Sequence, residues 1–105
     1  MPKKVLLLGR TAAVVDDARE QLQMPDVEFL AGTGLSDVKD TFARDSVDHV
    51  IMGAGLDLDV RLEIVREIFD SSETTTVHLK GHHPGPEGYL PFVRAVLHGL
   101  SEYEP

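Results

Sequence analysis

Residues 3–9 read Lys-Lys-Val-Leu-Leu-Leu-Gly, a short continuous apolar run that ends in glycine. Such a run is typical of a β-strand in a parallel sheet, because helices cover both faces of these sheets. Residues 27–31 and 49–52 repeat the pattern, since each is largely apolar and is followed by a glycine. Residues 74–80 instead alternate polar and apolar side chains, which predicts a strand with one exposed face at the edge of the sheet.

Each predicted strand is followed by a segment whose apolar residues lie three and four positions apart, the spacing of an amphipathic helix. The third helix, capped by Asp57 or Asp59 and running to about Phe69, has the broadest apolar face and is expected to be deeply buried. Pro91 fits only a first helical turn, so the fourth helix begins near it or kinks there. In chain order the predicted core-facing residues are Val15, Ala18 and Leu22; Leu35, Val38 and Phe42; Leu58, Leu62, Val65 and Phe69, flanked by Ile64 and Ile68; and Leu90, Val93, Leu97 and Leu100.

Four strand-then-helix units joined by short turns predict an α/β fold with a small open parallel sheet. The expected layout is a (βα)4 arrangement of the Rossmann or flavodoxin-like type, with strand order 2-1-3-4. A length of 105 residues suits one core, and no linker divides the sequence, so residues 1–105 are expected to form a single α/β domain.

The composition excludes several classes of partner. The chain carries 18 acidic and 10 basic side chains, so its formal charge is −8, and it lacks the basic surface that nucleic acids or anionic lipids require. It has no cysteine, and therefore no disulfide, thiolate metal site or thiol nucleophile. We see no targeting segment and no membrane span, so we expect a cytoplasmic protein that binds neither nucleic acid nor membrane.

The spacing of these units resembles the flavodoxin-like layout of response-regulator receiver domains, shortened by one strand and one helix. That family has an acidic pair after strand one and a phosphoacceptor aspartate at the end of strand three. Here Gly9-Arg10 stand at the first position and Met52-Gly53 at the second, and the fifth strand with its lysine is missing. A magnesium ion needs carboxylate oxygens, whereas Arg10 brings a positive charge. The resemblance therefore implies the fold but not the phosphorylation chemistry.

Open parallel sheets bind ligands beyond the carboxyl ends of their strands, where the strand order reverses. In the predicted order this crevice lies between strands one and three, lined by Gly9, Arg10 and Thr11 on one side and by Gly53 and Gly55 on the other. Glycines permit close backbone approach, helix N-termini offer N–H donors and the guanidinium grips anions, so a phosphorylated small molecule would fit. Tight strand-to-helix turns explain the same glycines without a ligand. No complete dinucleotide fingerprint is present, and no cofactor is expected.

Histidines are the other candidates for chemistry. His82 and His83 follow the predicted edge strand, with His78 four residues upstream of His82. Neutral imidazoles bind transition metals or transfer protons near neutral pH. Adjacent histidines in a Gly/Pro loop point in different directions, however, and no carboxylate completes a ligand set, so an exposed polar loop is the simpler interpretation and no metal site is predicted.

Three functions follow from these observations. The sequence favours a non-catalytic binding or protein-interaction module, whose edge strand or helix faces pair with a second copy or another protein. The first alternative is a sensor or binder of a phosphorylated or nucleotide ligand, held by Arg10 and the glycine turns. The second is a small histidine-dependent or metal-dependent enzyme centred on residues 80–85.

Overall fold

The computed structural model describes residues 2–81 and 88–103 and shows strands and helices alternating along the chain. The elements are β1 (Lys3–Leu8), α1 (Ala12–Gln21), β2 (Val27–Gly32), α2 (Leu35–Arg44), β3 (His49–Met52), α3 (Leu58–Ser71), β4 (Thr76–Leu79) and α4 (Tyr89–Tyr103). The last strand begins at Thr76, later than the predicted residue 74, for a local reason. The hydroxyl of Ser72 accepts hydrogen bonds from the N–H groups of Thr74 and Thr75, at 3.3 and 3.1 Å, and so holds these residues in a turn.

The four strands form one parallel sheet with the order β2-β1-β3-β4, which confirms the predicted α/β fold and strand order. The central strand β1 pairs with β2 along its whole length, from Lys3 opposite Val27 to Leu8 opposite Gly32. The strand β4 pairs with β3 and forms one edge of the sheet. Because all strands run the same way, their carboxyl ends and the turns that follow them lie at one edge.

Alternate residues of β1 divide the core into two clusters, as the pleat of a strand requires. Val5 and Leu7 pack on one face with α1 and α4, whereas Leu6 and Leu8 pack on the other with α2 and α3. All four side chains are completely buried. The continuous apolar run in the sequence is therefore explained by helices on both sides of the sheet.

In α1 and α4 the residues that the sequence predicts to face the core are buried or partly buried. Val15, Ala18 and Leu22 are buried beneath α1, and Val93 and Leu97 are buried beneath α4. The helix α4 begins at Tyr89, which puts its proline in the first turn, where the ring is tolerated. Among the helices of residues 2–81 and 88–103, none has the length and apolarity needed to cross a bilayer.

The structure corrects the face predicted for α3. Ile64 and Ile68 are fully buried against the sheet, whereas Leu58, Leu62 and Phe69 are 59%, 54% and 56% exposed. Both sets have helical spacing, so the apolar pattern gave no reason to prefer one over the other. The branched isoleucines contact the sheet, and the deep burial expected of the other set was wrong.

The position of α2 explains why this second apolar face is uncovered. Lys39 of α2 lies 3.9 Å from Glu67 of α3, so α2 flanks α3 on the side of Glu67. On a helical wheel Leu58, Leu62 and Phe69 lie on the opposite side, toward the β4 edge. Within the part of the chain that the structure describes, that side has no helix beside it.

Ionic contacts hold the amino end of β1. The Lys4 ammonium donates to the Asp45 carboxylate at 2.7 Å, and the Lys4 backbone N–H donates to Asp48 at 2.8 Å. The Lys4 bond lowers the pKa of Asp45, and the same bond raises the pKa of Lys4. This contact ties the connection after α2 to the central strand.

Candidate functional site

The turns that follow β1 and β3 meet at the carboxyl edge of the sheet. The N–H of Gly53 donates to the Leu8 carbonyl at 2.9 Å, so the two turns start side by side. A Cβ built on Gly55 would lie 3.0 Å from the Cβ of Arg10, which places the second turn directly against the first. The fold thus brings together the residues predicted around this crevice, and ligand binding there stays a prediction.

Internal packing explains two of the glycines at this edge. A Cβ on Gly9 would lie 2.8 Å from the side chain of Val15, and a Cβ on Gly53 would lie 3.0 Å from the ring of Tyr89. Real Cβ atoms essentially never approach another atom as closely as at Gly9, and at Gly53 the Tyr89 ring would have to shift by a few tenths of an ångström. Each glycine therefore lets a helix side chain pack onto a strand end, which is a requirement of the fold with or without a ligand.

Tyr89 packs over the carboxyl end of β3. Its side chain is almost completely buried, and its hydroxyl donates to the carbonyl of Ile51 at 3.3 Å. Burial raises the pKa of this phenol, so the hydroxyl stays protonated at neutral pH. Tyr89 is therefore a residue of the core.

Arg10 and Thr11 are the exposed polar residues of the β1 turn. Thr11 is the N-cap of α1, and its side chain makes no capping hydrogen bond to the first turn of the helix. Across residues 2–81 and 88–103, the guanidinium of Arg10 has no ion-pair partner. A positive charge and open backbone donors are therefore available at this point to an anion in solution.

The predicted histidine pair, His82 and His83, lies outside the described residues. The structure instead joins His78 to His49 through the Thr76 hydroxyl. The hydroxyl lies 2.7 Å from Nδ1 of His49 and 2.9 Å from Nε2 of His78. His49 is buried and lies opposite Thr76 in the sheet register.

This network has limited chemistry of its own. Burial lowers the pKa of His78, and the neighbouring His49 lowers it further, so a neutral imidazole is favoured near neutral pH. The described residues include no group of three or more histidine, cysteine or carboxylate side chains able to hold a metal ion. Hydrogen bonds between β3 and β4 are the clear role of the three side chains.

The most unusual surface feature is the apolar area along α3 and β4. We call it the α3–β4 surface and define it by Leu58, Leu62, Phe69 and Leu79. Leu79 is 37% exposed, and its register partner Met52 belongs to the cluster beneath α2 and α3, so its side chain lies on the same face as α3. Arg61 of α3 donates to the Lys80 carbonyl at 2.9 Å and holds this helix beside the strand end.

The exposed edge of β4 adds polar groups to this surface. The N–H groups of Thr76 and Lys80 donate to carbonyls of the β3 segment, at 3.1 and 2.8 Å. Alternation along a strand directs the N–H and C=O groups of the intervening Val77 and Leu79 the other way, out of the sheet. The signal in the sequence is a helix with a broad apolar face followed by an alternating edge strand over residues 74–80, and the spacing of the apolar residues does not show which part of that face is open.

Comparison of the chain with family models, with curated proteins and with solved structures finds no match.

Proposed function

We propose that this chain is a non-catalytic protein-interaction module that binds its partner through the α3–β4 surface. The observation that carries the proposal is the exposure of Leu58, Leu62 and Phe69 by more than half each. Soluble proteins usually scatter their exposed apolar residues, and a contiguous apolar area is typical of a surface that contacts another macromolecule.

The free energy available at this surface supports the proposal. Burying a leucine or phenylalanine side chain completely is worth about 1.5–3 kcal/mol. Covering the exposed half of each of the three residues on α3 would contribute on the order of 1 kcal/mol apiece. Val77 and Leu79 direct N–H and C=O groups outward that have no strand partner among residues 2–81 and 88–103. These groups would add backbone hydrogen bonds, because an exposed strand edge accepts another strand.

A photo-cross-linking amino acid tests the proposal in cells. Placed at Leu62, it should form a covalent protein adduct on irradiation, whether with a second copy or with another protein. The matched control is Glu20, an exposed position of α1 on the opposite face of the sheet. Adding Leu79→Lys to the Leu62 probe should abolish the adduct, since both residues belong to one surface. Absence of an adduct from position 62, or equal yields from positions 62 and 20, would overturn the proposal.

A second candidate function is the binding of a phosphorylated or nucleotide anion beside Arg10. It is favoured by the exposed Arg10, which has no ion pair among the described residues, and by the Thr11 side chain, which makes no capping bond. Inorganic phosphate or a nucleoside triphosphate should then raise the melting temperature of the protein. Arg10→Ala should remove this shift, whereas Arg19→Ala, on the exposed side of α1, should retain it. No shift of the unmodified protein with any phosphorylated compound would exclude this function.

A further inference from the structure

We infer that the partner at the α3–β4 surface is a second copy of this chain, related by a two-fold axis that passes beside His78 and Val65. The inference rests on the proposed function and specifies its partner. It is carried by two features that are self-complementary about the same point: the open edge of β4 and the exposed apolar residues of α3.

In the described part of the chain no strand pairs with the outer side of β4, and this open edge is symmetric about His78. Thr76 and Lys80 bond to the β3 segment, so Val77 and Leu79 present their N–H and C=O groups to the open side. These two residues flank His78. An antiparallel copy centred on His78 therefore places Val77 opposite Leu79 of the second copy, and Leu79 opposite Val77. Each of the two pairs exchanges two backbone hydrogen bonds.

The direction of pairing decides whether the helices meet. If β4 paired in parallel with its copy, the two-fold axis would run along the strands and put the two α3 helices on opposite faces of the joint sheet. Antiparallel pairing puts the axis perpendicular to the sheet and keeps both α3 helices on one face. Only this second arrangement covers Leu62 and Phe69, which lie on the side of α3 toward the edge.

Two hydrogen bonds, one at each end of β4, fix how α3 lies along the strand, and they therefore fix where the two-fold axis crosses α3. Arg61 bonds to Lys80 at one end, and Ser72 lies 2.7 Å from the Thr75 hydroxyl at the other. With ordinary rises, both the helix span and the strand span are about 16 Å, so the two run alongside each other. His78 then lies level with a point between residues 65 and 66 of α3.

The point between residues 65 and 66 is also the midpoint between two large exposed apolar residues of α3, Leu62 and Phe69. Leu62 and Phe69 lie seven positions apart, and their midpoint falls between residues 65 and 66. In the antiparallel pair, Leu62 therefore faces Phe69 of the second copy, and Phe69 faces Leu62. One axis therefore forms the backbone hydrogen bonds between the two β4 strands and also brings the apolar residues of the two α3 helices together.

The spacing between the two helices is also compatible. Paired strands lie about 4.8 Å apart. Ile64 and Ile68 of α3 belong to one core cluster with Val50 and Met52 of β3, and Val77 of β4 packs against it. With α3 centred over these two strands, the axes of the two α3 helices would lie about 10 Å apart, close to the separation of packed helices. Arg66 is the charged residue of α3 nearest the axis, and Glu63 and Asp70 lie one turn to either side of it. The charge of each copy is −8, so added salt should strengthen the association by screening the repulsion.

Sedimentation of the purified chain tests the association. The unmodified protein should form dimers at tens of micromolar, and its dissociation constant should fall as salt is raised. Leu62→Asp should weaken the dimer roughly tenfold or more, as loss of a central apolar anchor does. Ala43→Asp introduces the same charge at an exposed position of α2 and should leave the dimer unchanged. A purified chain that stays monomeric at millimolar concentration and high salt would overturn the inference.

Cysteine substitution tests the register, and the chain has no cysteine of its own. His78 would lie directly opposite His78 of the second copy, within the Cα separation that a disulfide spans. His78→Cys should therefore form a covalent dimer under mild oxidation. Thr76→Cys, on the same strand and face, should not, because its copy would lie about 13 Å away along the strand. Equal cross-linking of both variants, or cross-linking of Thr76→Cys alone, would overturn the proposed axis.

These outcomes separate the inference from the function on which it rests. A monomeric purified chain whose position 62 still cross-links to a different protein would refute the second copy but keep the interaction module. A monomeric chain with no adduct at position 62 would refute both.

Discussion

Ile68→Ala and Leu62→Ala should destabilise the protein by very different amounts, although both residues belong to the apolar pattern of α3. Ile68 is completely buried, so its truncation removes buried carbon atoms and leaves a cavity, at a cost of about 2–5 kcal/mol. Leu62 is 54% exposed, so less than half of its surface leaves water on folding. Its truncation should cost about 1 kcal/mol or less.

Urea unfolding followed by circular dichroism measures this difference, since the chain has no tryptophan to report by fluorescence. For a small domain the unfolding free energy falls by about 1–3 kcal/mol per molar urea. Both variants share one slope, so the urea midpoint should fall at least about twice as far for Ile68→Ala as for Leu62→Ala. The protein must be dilute enough to be monomeric, because association would add stability that Leu62 also controls. Equal losses for the two variants would show that Leu62 is a core residue and would refute the open face of α3.

Three further predictions concern other parts of the molecule. Gly53→Ala should cost about 1–3 kcal/mol, measured by thermal unfolding, because its Cβ would press on the ring of Tyr89. The pKa of His78 is lowered in the folded state, so below pH 6.5 the unfolded chain binds more protons than the folded one and the free energy of unfolding should fall as the pH drops. His78→Gln should flatten this pH dependence in unfolding titrations. Lys4→Gln should raise the pKa of Asp45 toward its ordinary value, as followed by carboxyl NMR, because it removes the bond that lowers it.

The strand order could be predicted because the sequence marks each strand clearly. The run from Val5 to Leu8 is apolar at every position, which only a strand covered on both faces requires. The segment that became β4 alternates, which is typical of an edge. Once these two positions are assigned, short right-handed connections leave few other arrangements.

The open face of α3 could not be predicted, for a physical reason. Helical periodicity shows which residues share a face, but a helix with apolar residues on two faces does not reveal which one the sheet covers. That choice depends on how many helices flank α3, a property of the whole fold. Ile64 and Leu62 are equally apolar, and only the three-dimensional arrangement distinguishes them.

At the carboxyl edge of the sheet the sequence predicts which residues meet, but it does not predict why they are glycines. Its residues could be located from the sequence, because strand ends in a parallel sheet converge. The reason for its glycines could not, because it depends on Val15 and Tyr89, which come from helices packed against the strand ends. Glycine at these positions is explained by packing, and Arg10 is the residue that still points to a ligand.

The claim that a second copy covers the α3–β4 surface is tested most directly by amide hydrogen exchange in the purified protein at increasing concentration. The N–H groups of Val77 and Leu79 should become protected as the concentration rises, whereas that of Lys80, bonded to the Met52 carbonyl at 2.8 Å, should be protected throughout. Rapid exchange of the Val77 and Leu79 N–H groups at every concentration, with Lys80 protected, would show that no second copy pairs with β4.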